Sequence, residues 1–375
     1  MMVDSSPSVR AGEWDDNANY REFQRWLATE SRLSFRPVDT SSRQFVVVRD
    51  SDGKAVPRCP VTVSDGRRSV TLTTTASGRA ILFPVAEGLS GSNLRATANC
   101  QNAKASSSFS LAQSDGVIDL KLNAQRSLPN VYDVDIAFIL DTTGSMSEEI
   151  AAVKGTIQKV AASLNGSNIR VRMGMVEYKD RSDPFVTKVY PMSRDLNGFS
   201  RQVASVSASG GGDTPEDAVA GLHAGLTKLD WGGGALVKLA FLIGDAPPHL
   251  DYQDGPDYTA DMRDAAHRGI QVFTVAASGM DDLGQVVWRQ IAQYTGASSL
   301  FVLRGGAGPQ STGGGDPKSS CGGTQTNFRS GNLDGLILQR INREIKAIER
   351  DPMKIPGLKV DENAKPCNER LMIAE

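Results

Sequence analysis

Histidine is scarce in this chain, with three residues in 375, and cysteine is limited to four. No cysteine pair has the close spacing of a zinc site or a redox motif. Of His223, His249 and His267, the first lies inside an apparent helix and reads as structural, and no serine or cysteine nucleophile motif stands beside His249, which leaves little for acid–base catalysis. An excess of one charge is also missing. Lysine and arginine number 41 against 43 aspartates and glutamates, and no basic cluster stands out, so nucleic acid is not an expected partner. No apolar run approaches the length of a transmembrane helix, so membrane insertion is not expected either. The opening residues lack the basic-then-apolar pattern of an export signal. Two readings follow: a cytoplasmic protein, or an extracytoplasmic one whose signal lies outside this sequence.

What is present is concentrated in the middle of the chain. Ile136 to Leu140 is an apolar run too short for an ordinary helix and reads as a buried strand. It ends at Asp141. Thr142, Thr143, Gly144, Ser145 and Ser147 follow as a turn rich in hydroxyls. Ile150, Val153, Ile157 and Val160 are then spaced for a helix with one buried face. The turn therefore sits at the carboxyl end of a strand, where open α/β sheets place their ligands. Asp141, Thr143 and Ser145 alternate along it and offer one carboxylate and two hydroxyls. Such all-oxygen donors suit magnesium, manganese or calcium rather than zinc or copper. Ser145 also fits a helix N-cap, with Glu148 completing a capping box.

Two later stretches add to this turn. GGGDTPEDAVAGL, residues 210–222, contains Thr214; KLAFLIGDAPPH, residues 238–249, ends a second apolar strand with Asp245. Locally, Thr214 reads as a cap before Pro215 at a first helical position, and Asp245 as a turn residue before Pro247 and Pro248. The three stretches, in this order, resemble the von Willebrand factor A domain and its metal-ion-dependent adhesion site. The resemblance implies a first metal loop of Asp141, Thr143 and Ser145, with Thr143 standing where many members carry serine. It implies Thr214 as the second-loop threonine and Asp245 as the third-loop aspartate. It further implies a cation, Mg2+ or else Mn2+ or Ca2+, that recognises a carboxylate on a protein partner, with no bond made or broken. DTTGSM and GDAPPH also resemble A domains attached to atypical kinases, but no kinase-like segment accompanies them. Two other functions stay open: a structural or scaffold surface protein with little metal dependence, and a metal-dependent hydrolase built on Asp141.

Around this centre the chain divides by pattern. Residues 1–43 form a polar leader with a short helix, roughly Asn19 to Thr29, whose Tyr20, Phe23, Trp26 and Leu27 share one face. Asp16 or Asn17 could cap it, and its aromatic face is expected to dock on a neighbouring domain. RAGEWDDNANYREF resembles a leader found before some bacterial proteins with such A domains. Residues 44–124 hold short Val-, Thr- and Leu-rich runs separated by Asp-Gly and Ser-Gly turns, the pattern of a small β-sandwich. This region resembles the immunoglobulin-like and carboxypeptidase-regulatory-like sandwiches of bacterial surface proteins, which implies a spacer role. Residues 125–132 read as a linker. From 132 to 350, strands alternate with helices, the signature of a doubly wound, mostly parallel sheet covered on both faces. Residues 305–326 interrupt it as a Gly-rich insertion; the GxxxxGK[ST] phosphate signature is missing there, so nucleotide binding is not expected. A strong helix, Asn332 to Arg350, closes the domain, and 351–375 form a tail. The segregation of the cysteines suggests two disulfides, Cys59 to Cys100 and Cys321 to Cys367, and an oxidising compartment. Neither the partner nor the oligomeric state is legible.

Overall fold

A computed structural model describes residues 9–30, 32–111, 115–147, 149–164, 168–212, 214–277, 280–302 and 329–358. The proposed insertion at 305–326, the Cys321–Cys367 pair, Glu148 and most of the tail lie outside the described residues.

The chain opens with a strand, β1 (Arg10–Trp14), and a helix, α1 (Tyr20–Thr29). Seven strands follow: β2 (Arg43–Arg49), β3 (Pro60–Ser64), β4 (Ser69–Thr73), β5 (Arg79–Leu82), β6 (Leu94–Cys100), β7 (Ala103–Phe109) and β8 (Asp115–Lys121). The order β5-β2-β8 forms one sheet and β4-β3-β6-β7 the other. Val46, Val48, Val61, Val63, Leu72, Leu94, Ala96, Ile118 and Leu120 alternate inward and close the core between them. A disulfide joins Cys59 to Cys100. The pattern predicts the second-to-last run of this region at Ser107 to Leu111, but the strand begins at Ala103. The reason is a tight turn at Gln101 and Asn102, both with positive φ, which starts pairing at Cys100↔Ala103.

The α/β part runs β9 (Tyr132–Asp141), α2 (Ile150–Ser163), β10 (Ile169–Tyr178), β11 (Thr187–Ser193), α3 (Leu196–Ser205), α4 (Ala218–Thr227) and β12 (Val237–Gly244). It continues with α5 (Tyr258–His267), β13 (Gln271–Ala276), α6 (Asp282–Tyr294), β14 (Ser299–Val302), β15 (Arg329–Asn332) and α7 (Leu333–Lys346). Its sheet has the order β11-β10-β9-β12-β13-β14-β1-β15. The five central strands are parallel; β11, β1 and β15 are antiparallel additions at the two sides. Burial on both faces follows the two-residue period. Ile136, Phe138 and Leu140 pack under α2, α3 and α7, while Ala137 and Ile139 pack under α4, α5 and α6. Phe138, Phe241 and Phe273 stack across three neighbouring strands with centroids 5.6 and 5.2 Å apart.

Three features depart from the sequence pattern. The leader supplies a sheet strand: β1 lies between β14 and β15, with Ala11↔Val302 and Ala11↔Gly331 in register. Asp16 and Asn17 do not cap α1. The carboxylate of Asp15 accepts from the amides of Asn17 and Ala18, while Asp16 pairs with Arg289 through two hydrogen bonds of 2.8 and 2.6 Å. Both partners are buried, so an unpaired Arg289 would carry a large desolvation cost. Finally, the sandwich is packed against the α/β layer. Glu87 accepts from Tyr294 at 2.5 Å and lies 3.1 Å from His267, and Arg126 spans from the carbonyl of Ala55 to that of Ile348.

Candidate metal centre

Strand order reverses between β9 and β12: β10 follows on one side of β9, and β12 leads away on the other. The loops leaving the carboxyl ends of these two strands part in opposite directions, and the crevice between them is where such sheets hold ligands. Asp141 ends β9 and Asp245 follows β12, so the two acids face across that crevice.

Their side chains are linked. The Thr143 hydroxyl donates to Asp141 Oδ1 at 2.7 Å, and the Thr143 amide donates to the same oxygen at 2.9 Å. Thr143 Oγ1 lies 3.0 Å from Ser145 Oγ, and Ser145 Oγ donates to Asp245 Oδ1 at 3.1 Å. Four oxygens thus make three hydrogen-bond-length contacts, but two hydroxyls bring only two protons. One contact needs a further positive charge, from a proton or a cation. Asp141 Oδ2, Thr142 Oγ1 and Glu216 Oε2 are also buried with no hydrogen-bond partner among the described residues.

Electrostatics point the same way. Burial pushes the Asp141 carboxyl up to about 7; its bonds from Thr143 resist, and the nearby charge of Asp245 adds to the rise. Burial raises Asp245 above its ordinary value too, against the opposing bond from Ser145. Glu216 is pushed up to about 8, by burial first and then by the charges of Asp141 and Asp180. Clustered buried acids that resist ionisation are a site that a cation would stabilise.

Thr214 stands differently. It is exposed on the second loop and lies outside this hydrogen-bonded chain among the described residues. The pattern predicts a helix from Pro215, but α4 begins at Ala218, capped by Asp217, whose carboxylate accepts from the Ala220 amide at 3.0 Å. Residues 215–217 are used elsewhere: Glu216 bridges to Pro248, its amide donating to Pro247 and its carbonyl accepting from His249. This bridge fastens the second loop to the third. Glu216 is brought beside Thr143 by it.

The first and second loops are fastened as well. The Gly144 amide donates to the Gly210 carbonyl at 2.8 Å, and a Cβ on Gly144 would meet that same oxygen at 2.8 Å, too close for any side chain. Lys179 is buried just past β10; its ammonium donates to the carbonyls of Thr142, at 2.7 Å, and Ser209. Glu216 and Lys179 carry no local signal in the sequence. Glu216 reads as one more acid in a helix start, and Lys179 as part of a hydrophilic turn, KDRSD. The usable clue is that Lys179 directly follows a strand adjacent to β9.

Among the described residues, no three His, Cys, Asp or Glu side chains gather as a metal cage. The donor set is of another kind: two carboxylates and two hydroxyls. It fits a hard cation that keeps part of its own water shell. His249 is committed nearby, with Nδ1 2.7 Å from Asp251, Nε2 3.4 Å from Asp180, and its ring stacked on Tyr252 at 4.1 Å.

A doubly wound sheet with a carboxylate–hydroxyl loop at its switch point defines the class: an open α/β domain. Residues 135–254 match the family model of the von Willebrand factor A domain, and the chain carries such a domain, of a class generally engaged in protein–protein interaction. An ariadne-like RING finger protein of Acanthamoeba polyphaga mimivirus is 29% identical over 32% of this chain and 12% of its own length. An alpha-protein kinase of Dictyostelium discoideum is 33% identical over 31% of this chain and 19% of its own. The human von Willebrand factor A domain-containing protein 7 is 36% identical over 24% of this chain and 10% of its own. The chain therefore spans less than a fifth of the length of each of these relatives.

Proposed function

We propose that the chain is a divalent-cation-dependent protein-binding module that recognises an acidic side chain of its partner. The observation that carries this reading is the oxygen chain Asp141–Thr143–Ser145–Asp245, which is one positive charge short of completing its contacts. Asp141, Thr143 and Ser145 would hold the cation, with Asp245 across the crevice and Thr214 on the exposed second loop. When bound, Mg2+, or Mn2+ or Ca2+ in its place, would offer an open position to a carboxylate oxygen. The protein's own part is to keep the three loops in place: Lys179 and the Gly144–Gly210 bond join the first to the second, and Glu216 joins the second to the third.

No catalytic step belongs to this reading. His249, the histidine beside the third loop, is held by Asp251 and Tyr252 in a position that serves the loop. An extracytoplasmic setting fits the Cys59–Cys100 disulfide, and no helix among the described residues is long and apolar enough to cross a membrane. The test is calorimetric titration of metal-stripped protein with magnesium chloride beside the Asp141→Ala variant. Saturable heat present in the first and lost in the second is expected. Indistinguishable traces for the two proteins, repeated with manganese and calcium, would refute the reading.

A further inference from the structure

A cavity of about 380 Å³ lies far from the metal centre, where the sandwich, the leader, the α/β layer and the segment after α7 converge. Gln271, the first residue of β13, lines it, so it opens at the amino ends of the parallel strands, the edge opposite Asp141 and Asp245. Its volume is that of a pocket for a small organic molecule. Phe45, Phe273 and Ile355 give it an apolar wall.

Its charges are unbalanced. Arg340 lines the cavity but is already paired with Glu13 and, at 4.0 Å, with Asp15. Arg79, Arg343, Arg350 and Lys354 remain, facing Glu344 and Asp351. Arg343 Nη1 is buried and has no hydrogen-bond partner among the described residues. Arg79 donates to the main-chain carbonyls of Pro352, at 3.0 Å, and Lys354, at 3.4 Å, which bring no negative charge. Burial pushes Arg79 down to about 10, with the charge of Glu344 opposing and that of Arg343 adding to the fall; burial and the charge of Arg340 push Arg343 below its ordinary value. Two half-buried arginines lining one cavity, one with a buried and idle N–H, favour an anion that joins them.

We propose that this interdomain cavity binds a small organic anion with an apolar body, its acidic group seated between Arg79 and Arg343 and its body against Phe45, Phe273 and Ile355. A guanidinium pair suits a carboxylate, sulfonate or phosphate, because each can accept two N–H bonds at once. The site needs no metal and shares no residue with the centre at Asp141.

The full chain is titrated with 8-anilinonaphthalene-1-sulfonate, read by fluorescence, and with its uncharged counterpart N-phenyl-1-naphthylamine. Saturable one-to-one binding of the sulfonate is expected, at least roughly tenfold tighter than the neutral compound, since a charge-assisted bond is worth that much or more. Arg343→Met should weaken the sulfonate by a similar factor while leaving the melting temperature and magnesium binding in place. The absence of saturable sulfonate binding to the full chain would overturn the proposal. So would equal affinity for the neutral compound, a comparison made on the unmodified protein and independent of how Arg343→Met folds.

Discussion

Ser145 and Asp245, 100 residues apart in sequence, meet in a hydrogen bond of 3.1 Å across the crevice between the first and third loops. Each closes its half of the site, so losing either should act on the same cation. Ser145→Ala and Asp245→Ala are each expected to weaken magnesium binding by about 100-fold or more, and the double variant by less than the product of the two, because both changes open one network. Thr143→Ser, which keeps the hydroxyl, should stay within a few-fold of the parent. Calorimetry on the four variants and the parent decides it; strictly multiplicative losses would mean that the two residues act at separate places.

Glu216 supplies a carboxylate beside Thr143 that no local motif announces. Its neutral isostere, Glu216→Gln, removes the charge and keeps the shape. The expected result is a magnesium affinity lower by roughly tenfold, the range for groups that support ligands without being ligands. The circular dichroism spectrum should be unchanged. An unaltered affinity would assign Glu216 to loop bridging alone.

The acidic carboxyls fix the direction of the pH dependence. Asp141 is pushed up to about 7 and Glu216 up to about 8, so below these values both are protonated and a cation must displace protons to bind. Magnesium affinity should therefore rise between pH 6 and pH 8 and fall as pH drops through about 7. Binding heats measured in two buffers of different ionisation enthalpy should differ at pH 6.5, reporting proton release, and Asp141→Asn should remove most of that difference.

The leader is part of the fold through the Asp16–Arg289 pair, which is bidentate and fully enclosed. The Arg289 guanidinium also lies 4.4 Å from the Trp14 ring and 4.0 Å from that of Trp26. Asp16→Ala leaves the arginine buried without its acid and should lower stability by about 3–5 kcal/mol. Urea denaturation of the full chain would measure this. A loss below roughly 1 kcal/mol, the scale of an exposed ion pair, would mean that the leader is detached in solution.

The Cys59–Cys100 bond closes a loop with a separation of 41 residues in the sandwich. Replacing both cysteines by serine should cost about 2–4 kcal/mol, mostly by freeing the unfolded chain. Magnesium affinity should not move, since the bond lies in a different domain from Asp141. A coupled loss of both properties would show that the sandwich and the metal loops unfold together.

The local pattern was enough for the strand that ends at Asp141, the helix with its buried stripe from Ile150 to Val160, and the seven-strand sandwich, because each rests on a period of two or 3.6 within a short window. It also picked out Asp141, Thr143, Ser145 and Asp245, whose oxygens the structure links in one hydrogen-bonded chain. Tertiary structure decided what those windows cannot contain. The sequence reads residues 10–14 as a polar leader, and only the gap between β14 and β15 makes them a strand. Asp16 resembles a cap until Arg289, 273 residues away, claims both its oxygens. Glu216 and Lys179 come beside the Asp141 loop, and Arg79 and Arg343 line one cavity, only after distant loops are pressed together and water is removed from between them. Periodicity records which face of an element is buried; it holds no record of which other element that face will meet, and burial beside a distant charge is what gives these four residues their chemistry.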